Sequence, residues 1–320
     1  MSAVRVVLTG ATGFVGSRVL HALTSTAHDT GRTFSVRALG RSATAPDSAP
    51  PGVTWVSVDL TDRASLRKAA SGADVLIHLA SRISGDDAEC AAVNVDGTTA
   101  LVEEAVHWGV DRIVHLSTSA VYGPGPHRGI AVNGIVPAPV SPASRTRLAG
   151  ETPVLAAAGT VLRPGLVLGA GDRWVVPALA ELLARVPARW DGGRGLLSVV
   201  DVDDLARLIA TLAVSPAAPP PGVHHASHPV PVSNGDLMAE LAALDVLPKV
   251  EDGADWSWDA CLDRLRTVPG RTSERQFALL AQDHWYASES IWPAASCPPG
   301  PGPLARLAAA APWYRSFLTG

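Results

Sequence analysis

Two hydrophobic rhythms alternate along the first half of the chain. Short runs, apolar almost throughout, occupy positions 4–9, 34–39, 53–58, 74–79 and 112–117. They read as strands buried on both faces. Between them, apolar residues recur at helical spacing over 14–27, 62–70 and 87–108. A further helix is expected over 145–158, a strand over 160–162, and a helix over 202–214 that opens on an aspartate cluster. This βαβα order predicts an α/β chain, a Rossmann-type doubly wound parallel sheet with a smaller, mostly helical C-terminal substrate lobe. The dividing point is set at 165: residues 1–165 form the dinucleotide-binding unit and 166–320 mainly the substrate lobe, with some later strands and helices returning to the sheet. Residues 215–222 read as a Pro/Ala-rich turn or linker, and 297–303 as a breaker before a final apolar helix.

Composition narrows the classes. The chain has 320 residues and a formal net charge of −4, which offers no basic footprint for nucleic acid. No apolar run reaches the ~18 residues of a membrane span. The amino end runs straight into the first strand, so no signal peptide is expected, and a cytoplasmic location follows. Cys90, Cys261 and Cys297 are far apart and suggest neither a disulfide framework nor a zinc site. Nine of the 16 Phe, Tyr and Trp residues fall in the last 70 positions. Two readings stand for them: bulky filling for a small core, or a wall for a flat aromatic substrate.

The candidate chemistry begins at Thr9-Gly10-Ala11-Thr12-Gly13-Phe14-Val15-Gly16, between the first strand and the first helix. Glycines at 10, 13 and 16 suit a tight turn, a close approach to a pyrophosphate and close helix–strand packing. Gly10, Thr12, Gly13, Phe14, Val15 and Gly16 are therefore assigned to dinucleotide phosphates above a helix N-terminus. The second strand is followed by Gly40-Arg41-Ser42, with no acidic residue to hold both ribose hydroxyls. Arg41 and Ser42 instead suit a 2′-phosphate, which favours NADP(H). Asp59 and Leu60, after the third strand, are placed at the adenine. Leu79, Ala80 and Ser81, after the fourth, line the crevice, and His78 is read as a packing residue.

Together with Asn94-Val95-Asp96-Gly97-Thr98, Ser117-Thr118-Ser119-Ala120-Val121-Tyr122-Gly123 and Leu162-Arg163-Pro164-Gly165, these residues resemble the extended or atypical short-chain dehydrogenase/reductase superfamily over roughly residues 3–215. The resemblance implies an NAD(P)-dependent enzyme moving hydride at a carbonyl or alcohol carbon. It places Thr118 as the hydroxyl that hydrogen-bonds the substrate carbonyl, and Pro164 and Gly165 beside the nicotinamide.

The departure lies in Pro142-Ala143-Ser144-Arg145-Thr146-Arg147-Leu148-Ala149-Gly150-Glu151. The family pattern has tyrosine where Ala143 stands and lysine where Arg147 stands, with Pro142, Leu148 and Glu151 fixing the register. The chain has only Lys68 and Lys249, only Tyr122, Tyr286 and Tyr314, and no Tyr-x-x-x-Lys pair. Alanine donates no proton. Arginine binds ribose hydroxyls and stabilises an oxyanion but is a poor acid. Tyr122, His127, Ser141 and Ser144 are weaker replacements; the two serines also suit helix capping, and His127 reads as a solvated loop residue. His224, His225 and His228 read as structural. The remaining proton source is the substrate, if a phenol sits beside its ketone. Within the family the pattern is similar to ketoreductases of angucyclinone antibiotic biosynthesis, which implies a small aromatic polyketide as partner. A non-catalytic NADP-binding sensor and a sugar-nucleotide epimerase or dehydratase are the competing readings.

Overall fold

A computed structural model describes residues 3–30, 34–42, 44, 46, 49–216, 220–251 and 253–320. Its strands are β1 (Val4–Thr9), β2 (Phe34–Gly40), β3 (Val53–Ser57), β4 (Val75–His78), β5 (Arg112–Leu116), β6 (His127–Ile130), β7 (Thr160–Arg163), β8 (Leu166–Leu168), β9 (Arg189–Trp190), β10 (Leu196–Leu197), β11 (Val199–Asp201), β12 (Gly222–His225), β13 (Val232–Ser233), β14 (Asp255–Trp256) and β15 (His284–Tyr286). The helices are α1 (Phe14–Thr30), α2 (Asp87–Ala91), α3 (Thr98–His107), α4 (Pro142–Ala156), α5 (Val175–Arg185), α6 (Val202–Val214), α7 (Asn234–Ala243), α8 (Trp258–Thr267), α9 (Glu274–Ala281), α10 (Ile291–Ala294) and α11 (Pro303–Thr319).

Seven strands form one sheet in the order β12-β7-β5-β4-β1-β2-β3, every neighbouring pair parallel. The chain therefore leaves β1 in one direction and β4 in the other, and the crevice at their carboxyl ends is the topological switch point. Leu20 and Leu23 of α1 and Leu205, Leu208 and Leu212 of α6 are buried in one apolar cluster. Leu101 and Ala105 of α3 and Val154 of α4 belong to another, with Leu66 and Ala70. A third gathers α5, α7, α8, α9 and α11 around Trp190, Phe277 and Tyr314. Phe277 lies between Trp190 and Trp258, with ring centroids 4.9 and 5.1 Å away. Most of the C-terminal aromatic residues thus fill a core.

Local chemistry explains where the elements differ from the sequence pattern. Residues 62–70 form a run of turns, not the expected helix. Asp62 Oδ1 accepts from Ala64 N–H, the bonds span three residues, and Lys68 takes a φ of 63°. The single helix expected over 87–108 is divided by a π-helical segment, Ala92–Gly97. α4 begins three residues before the expected start, because Ser141 and Ser144 form a capping box and Pro142 fits the first turn. His127 is buried in β6, not solvated. Of the linker over 215–222, positions 217–219 lie outside the described residues.

Two contacts fix the ends of β4 and α4. The Thr9 hydroxyl accepts from the amides of Leu79 and Ala80, both at 3.2 Å, and therefore donates to His78 Nδ1 at 2.7 Å. His78 Nε2–H then donates to Thr98 Oγ1 at 2.9 Å. Burial, and secondly the charge of Arg147, lower the His78 pKa to about 4. A Cβ on Gly150 would lie 2.1 Å from the Asn94 carbonyl oxygen, so glycine alone allows α4 this close to the π segment. Asn94 itself accepts from Arg82 N–H at 2.7 Å and donates to Thr146 Oγ1 at 2.9 Å.

Two outcomes are expected. Gly150→Ala lowers the unfolding free energy in urea by about 1–3 kcal/mol, the usual cost of overpacking. The unfolded chain protonates its histidine near pH 6.5 while folded His78 resists protonation until about pH 4. Stability therefore falls as pH drops through that window, by about 3 kcal/mol at most from this group. Thermal unfolding followed from pH 7 to 4 shows this decline, with a shallower slope for His78→Gln.

Candidate active site

The glycine turn is built by steric necessity. Gly10 has a φ of +73°, and a Cβ there would sit 2.8 Å from Ala80 N. A Cβ on Gly16 would sit 2.0 Å from the Gly10 carbonyl oxygen. Gly13 N–H closes the turn onto that same oxygen at 2.9 Å. Thr12 and Gly13 are exposed, Phe14 and Val15 half-buried, at the start of the 17-residue helix α1. The helix N-terminus, with its unpaired amides and positive dipole end, stands at the switch point. An anionic diphosphate is the group this end accommodates.

The neighbouring strand ends supply the rest of the crevice. Arg41 and Ser42 are exposed beyond β2, and the Arg41 carbonyl accepts from Ser57 Oγ at 3.3 Å. Asp59 accepts from the Thr61 amide at 2.9 Å and hydroxyl at 2.7 Å. Those bonds depress its pKa, and the charge of Arg41 adds to the effect, which places the guanidinium on the same rim. A Cβ on Gly97 would meet the Leu60 carbonyl oxygen at 2.7 Å, so the loop after β3 rests on the π segment. Leu79, Ala80 and Ser81 are half-buried after β4.

Across the switch point, β5 leads into Ser117 and Thr118. Thr118 is half-buried, and its Oγ1 accepts from Ala120 N–H at 3.2 Å. Ser119 N–H donates to the Pro164 carbonyl at 2.8 Å, and Gly165 N–H to Ser227 Oγ at 2.9 Å. A Cβ on Gly165 would stand 2.2 Å from Ser198 O, so this turn tolerates no side chain.

α4 brings Ala143 and Arg147 to this edge, one turn apart on one face. Arg147 Nη2 donates to the carbonyls of Leu116 at 2.9 Å and Ser117 at 2.7 Å. Its Nε is buried with no hydrogen-bond partner. Desolvation pulls the guanidinium pKa down to about 10, so it is still a cation at neutral pH. One turn further, Glu151 offers no compensating pair to it. Glu151 accepts from Ser117 Oγ and from Arg163 Nε and Nη2, the last two at 2.9 and 2.5 Å.

In the sequence Glu151 and Arg163 stand out only as motif positions, yet they form a buried ion pair. Arg163 Nη1 also donates to Tyr122 OH at 2.9 Å. His225 Nδ1–H donates to Ala287 O at 3.0 Å, so Nε2 accepts from Tyr122 OH at 2.7 Å. Tyr122 is thus held inside a structural network and stacks on Tyr286 at 5.2 Å. His127 Nδ1 bonds Tyr286 OH at 2.9 Å, while Ser141 and Ser144 cap α4. His224 and His228 bond backbone groups of Pro220 and Val230. An arginine closing the strand-like run Thr160-Val161-Leu162 is the sequence signal for this network.

The residues present fit a nicotinamide dinucleotide. The glycine cradle admits a diphosphate, and Arg147, anchored on the carbonyls of Leu116 and Ser117 beside Thr118, keeps an unpartnered Nε.

Comparison with known proteins agrees. A family model described as the NAD dependent epimerase/dehydratase family matches residues 6–225. A 4-hydroxy-2-methyl-3-oxo-4-farnesyl-3,4-dihydroquinoline-1-oxide ketoreductase of Stigmatella aurantiaca is 34% identical over 210 residues, covering 62% of this chain and 61% of that protein's length. A 2-alkyl-3-oxoalkanoate reductase of Stenotrophomonas maltophilia is 28% identical over 316 residues, covering 89% of this chain and 92% of that one. Among solved structures, the Bordetella bronchiseptica enzyme WbmG, in complex with NAD and UDP, superposes with a TM-score of 0.74 at 19% identity, covering 99% of this chain and 96% of that one. With more than half of its length inside the family model, the chain belongs to the NAD dependent epimerase/dehydratase family, the extended branch of the short-chain dehydrogenases/reductases.

Proposed function

We propose that the chain is an NADPH-dependent ketoreductase that converts a ketone of a polycyclic aromatic polyketide, angucyclinone-like in its ring system, into the alcohol. The observation that carries this reading is the pairing of Thr118 with an α4 face that bears Ala143 and a half-buried cation, Arg147, and whose one carboxylate, Glu151, is taken up by Arg163. The activities of the two relatives, a ketoreductase and an oxoalkanoate reductase, support the reaction class.

Gly10, Thr12, Gly13, Phe14, Val15 and Gly16 take the diphosphate, Arg41 and Ser42 the 2′-phosphate, and Asp59 and Leu60 the adenine. Leu79, Ala80 and Ser81 form the crevice wall. Arg147, Pro164 and Gly165 hold the nicotinamide end. When bound, the reduced nicotinamide supplies the hydride. Thr118 Oγ1 accepts from Ala120 N–H, which leaves its own hydrogen to be donated to the substrate carbonyl. The alkoxide formed needs a proton, and a substrate phenol beside the ketone holds one within reach. Such intramolecular placement reaches effective molarities of ~10⁵ M or more. A sugar hydroxyl carries no comparable acid, which disfavours epimerase chemistry on this helix. A sensor would bind cofactor and turn nothing over.

Two measurements test this. Oxidation of NADPH in the presence of hydroxylated polycyclic ketones is expected to be rapid, and to fall by about 10²–10⁴ when the adjacent phenol is methylated, the cost of a lost general acid. Turnover insensitive to methylation refutes substrate-borne protonation. In fluorescence titrations, Arg41→Ala weakens NADPH by about tenfold or more while NADH is little changed, since a charged hydrogen bond to the phosphate is removed.

A further inference from the structure

Helical side chains lean toward the helix N-terminus, so the stem of Arg147 lies over the turn that carries Ala143. Where the family pattern has a tyrosine ring, Ala143 contributes one methyl group. The guanidinium above it is incompletely satisfied. Nη2 is spent on the carbonyls of Leu116 and Ser117, which fixes the plane of the group. Nε is buried without an acceptor. The carboxylate of Glu151 is committed to Arg163 and Ser117. A buried donor without an acceptor favours an oxygen that carries negative charge, and Glu151, the carboxylate whose charge supports Arg147, is already bound to Arg163.

We propose that the substrate's phenol ring seats against Ala143 with its oxygen on the Arg147 guanidinium, so that Ala143 selects ketones bearing a neighbouring phenol and Arg147 holds the phenolate left after proton transfer. This rests on the ketoreductase reading above. As hydride bonds to the carbonyl carbon, the C=O π pair moves onto oxygen. The phenol O–H bond breaks, its proton forms the new alcohol O–H, and its electron pair stays on the phenol oxygen beside Arg147. A solvent proton then restores the phenol, so one NADPH and one proton are consumed. Arg147 keeps its own proton throughout and acts as the counter-ion.

The test uses 1-hydroxyanthraquinone, whose hydroxyl adjoins a carbonyl and whose ionisation reddens its absorbance. It is titrated with pH on the enzyme saturated with NADP+, where no turnover occurs. Bound to the wild-type protein, the phenol is expected to ionise about one to three pH units lower than in solution, the usual effect of a nearby opposite charge. Arg147→Met removes the shift and Arg147→Lys keeps most of it. Ala143→Phe weakens probe binding at least about tenfold, as expected when a pocket is filled, and far-UV circular dichroism with a cooperative thermal melt reports whether each variant is folded. If Arg147→Met does not fold, the lysine and phenylalanine variants decide between the two outcomes. An unshifted bound phenol, or equal shifts in the wild-type and methionine proteins, overturns the proposal, as does undiminished probe binding by Ala143→Phe. If hydroxyketones are still reduced in that case, the ketoreductase reading stands and only this inference falls. If neither probe binding nor turnover is found, both fall.

Discussion

The buried pair of Glu151 and Arg163 is the interaction on which the arrangement of the site depends. It joins α4 to β7 in the sheet interior, and through Ser117 it reaches the end of β5. Taking two charges out of water is costly, and the pair is tolerable because both carboxylate oxygens and most guanidinium donors find partners. Breaking it by removing one charge would cost more than the pair itself contributes. The consequence for chemistry is indirect. With Glu151 neutralised by Arg163, the positive charge of Arg147 one turn earlier is not cancelled within α4, and it faces the crevice.

Much of this was legible in the sequence. The uniform apolar runs gave the parallel strands, and the spacing of Gly10, Gly13 and Gly16 gave the turn, because each feature is a local steric or hydrophobic requirement. Pro142, Leu148 and Glu151 were enough to place Ala143 and Arg147. What was hidden depends on long-range contact. The run over 62–70 has helical spacing, but side-chain capping and a left-handed Lys68 hold it as turns. The π segment follows from α4 pressing on Asn94 through Gly150, which no periodicity records. His127 looked like a loop residue because β6 is short and gains its cover from β15, some 150 residues later. Of the two readings of the C-terminal aromatic residues, core filling describes Phe277, Trp292 and Tyr314, which are fully buried.

Arginine in the place of lysine also changes what the helix can hold. Lysine would bring a compact point charge on a mobile stem. Arg147 is a planar fork whose Nη2 is anchored on two backbone carbonyls at the end of β5, so the remaining donors have a set direction. A fixed, half-buried cation suits an oxyanion whose position recurs in every turnover, and it is a poor source of protons for a rival acceptor.

The Gly150 contact divides α4 into two parts with different freedom. Its second half is clamped, by backbone against backbone at Asn94 and by the charge pair at Glu151, and admits almost no variation. Its first turns, from the Ser141 cap to Arg147, are held through side chains instead, Thr146 on Asn94 and Arg147 on the carbonyls after β5. Ala143 makes no such bond, so an engineer wishing to install a new proton donor has that one position at the crevice end of the helix in which to begin.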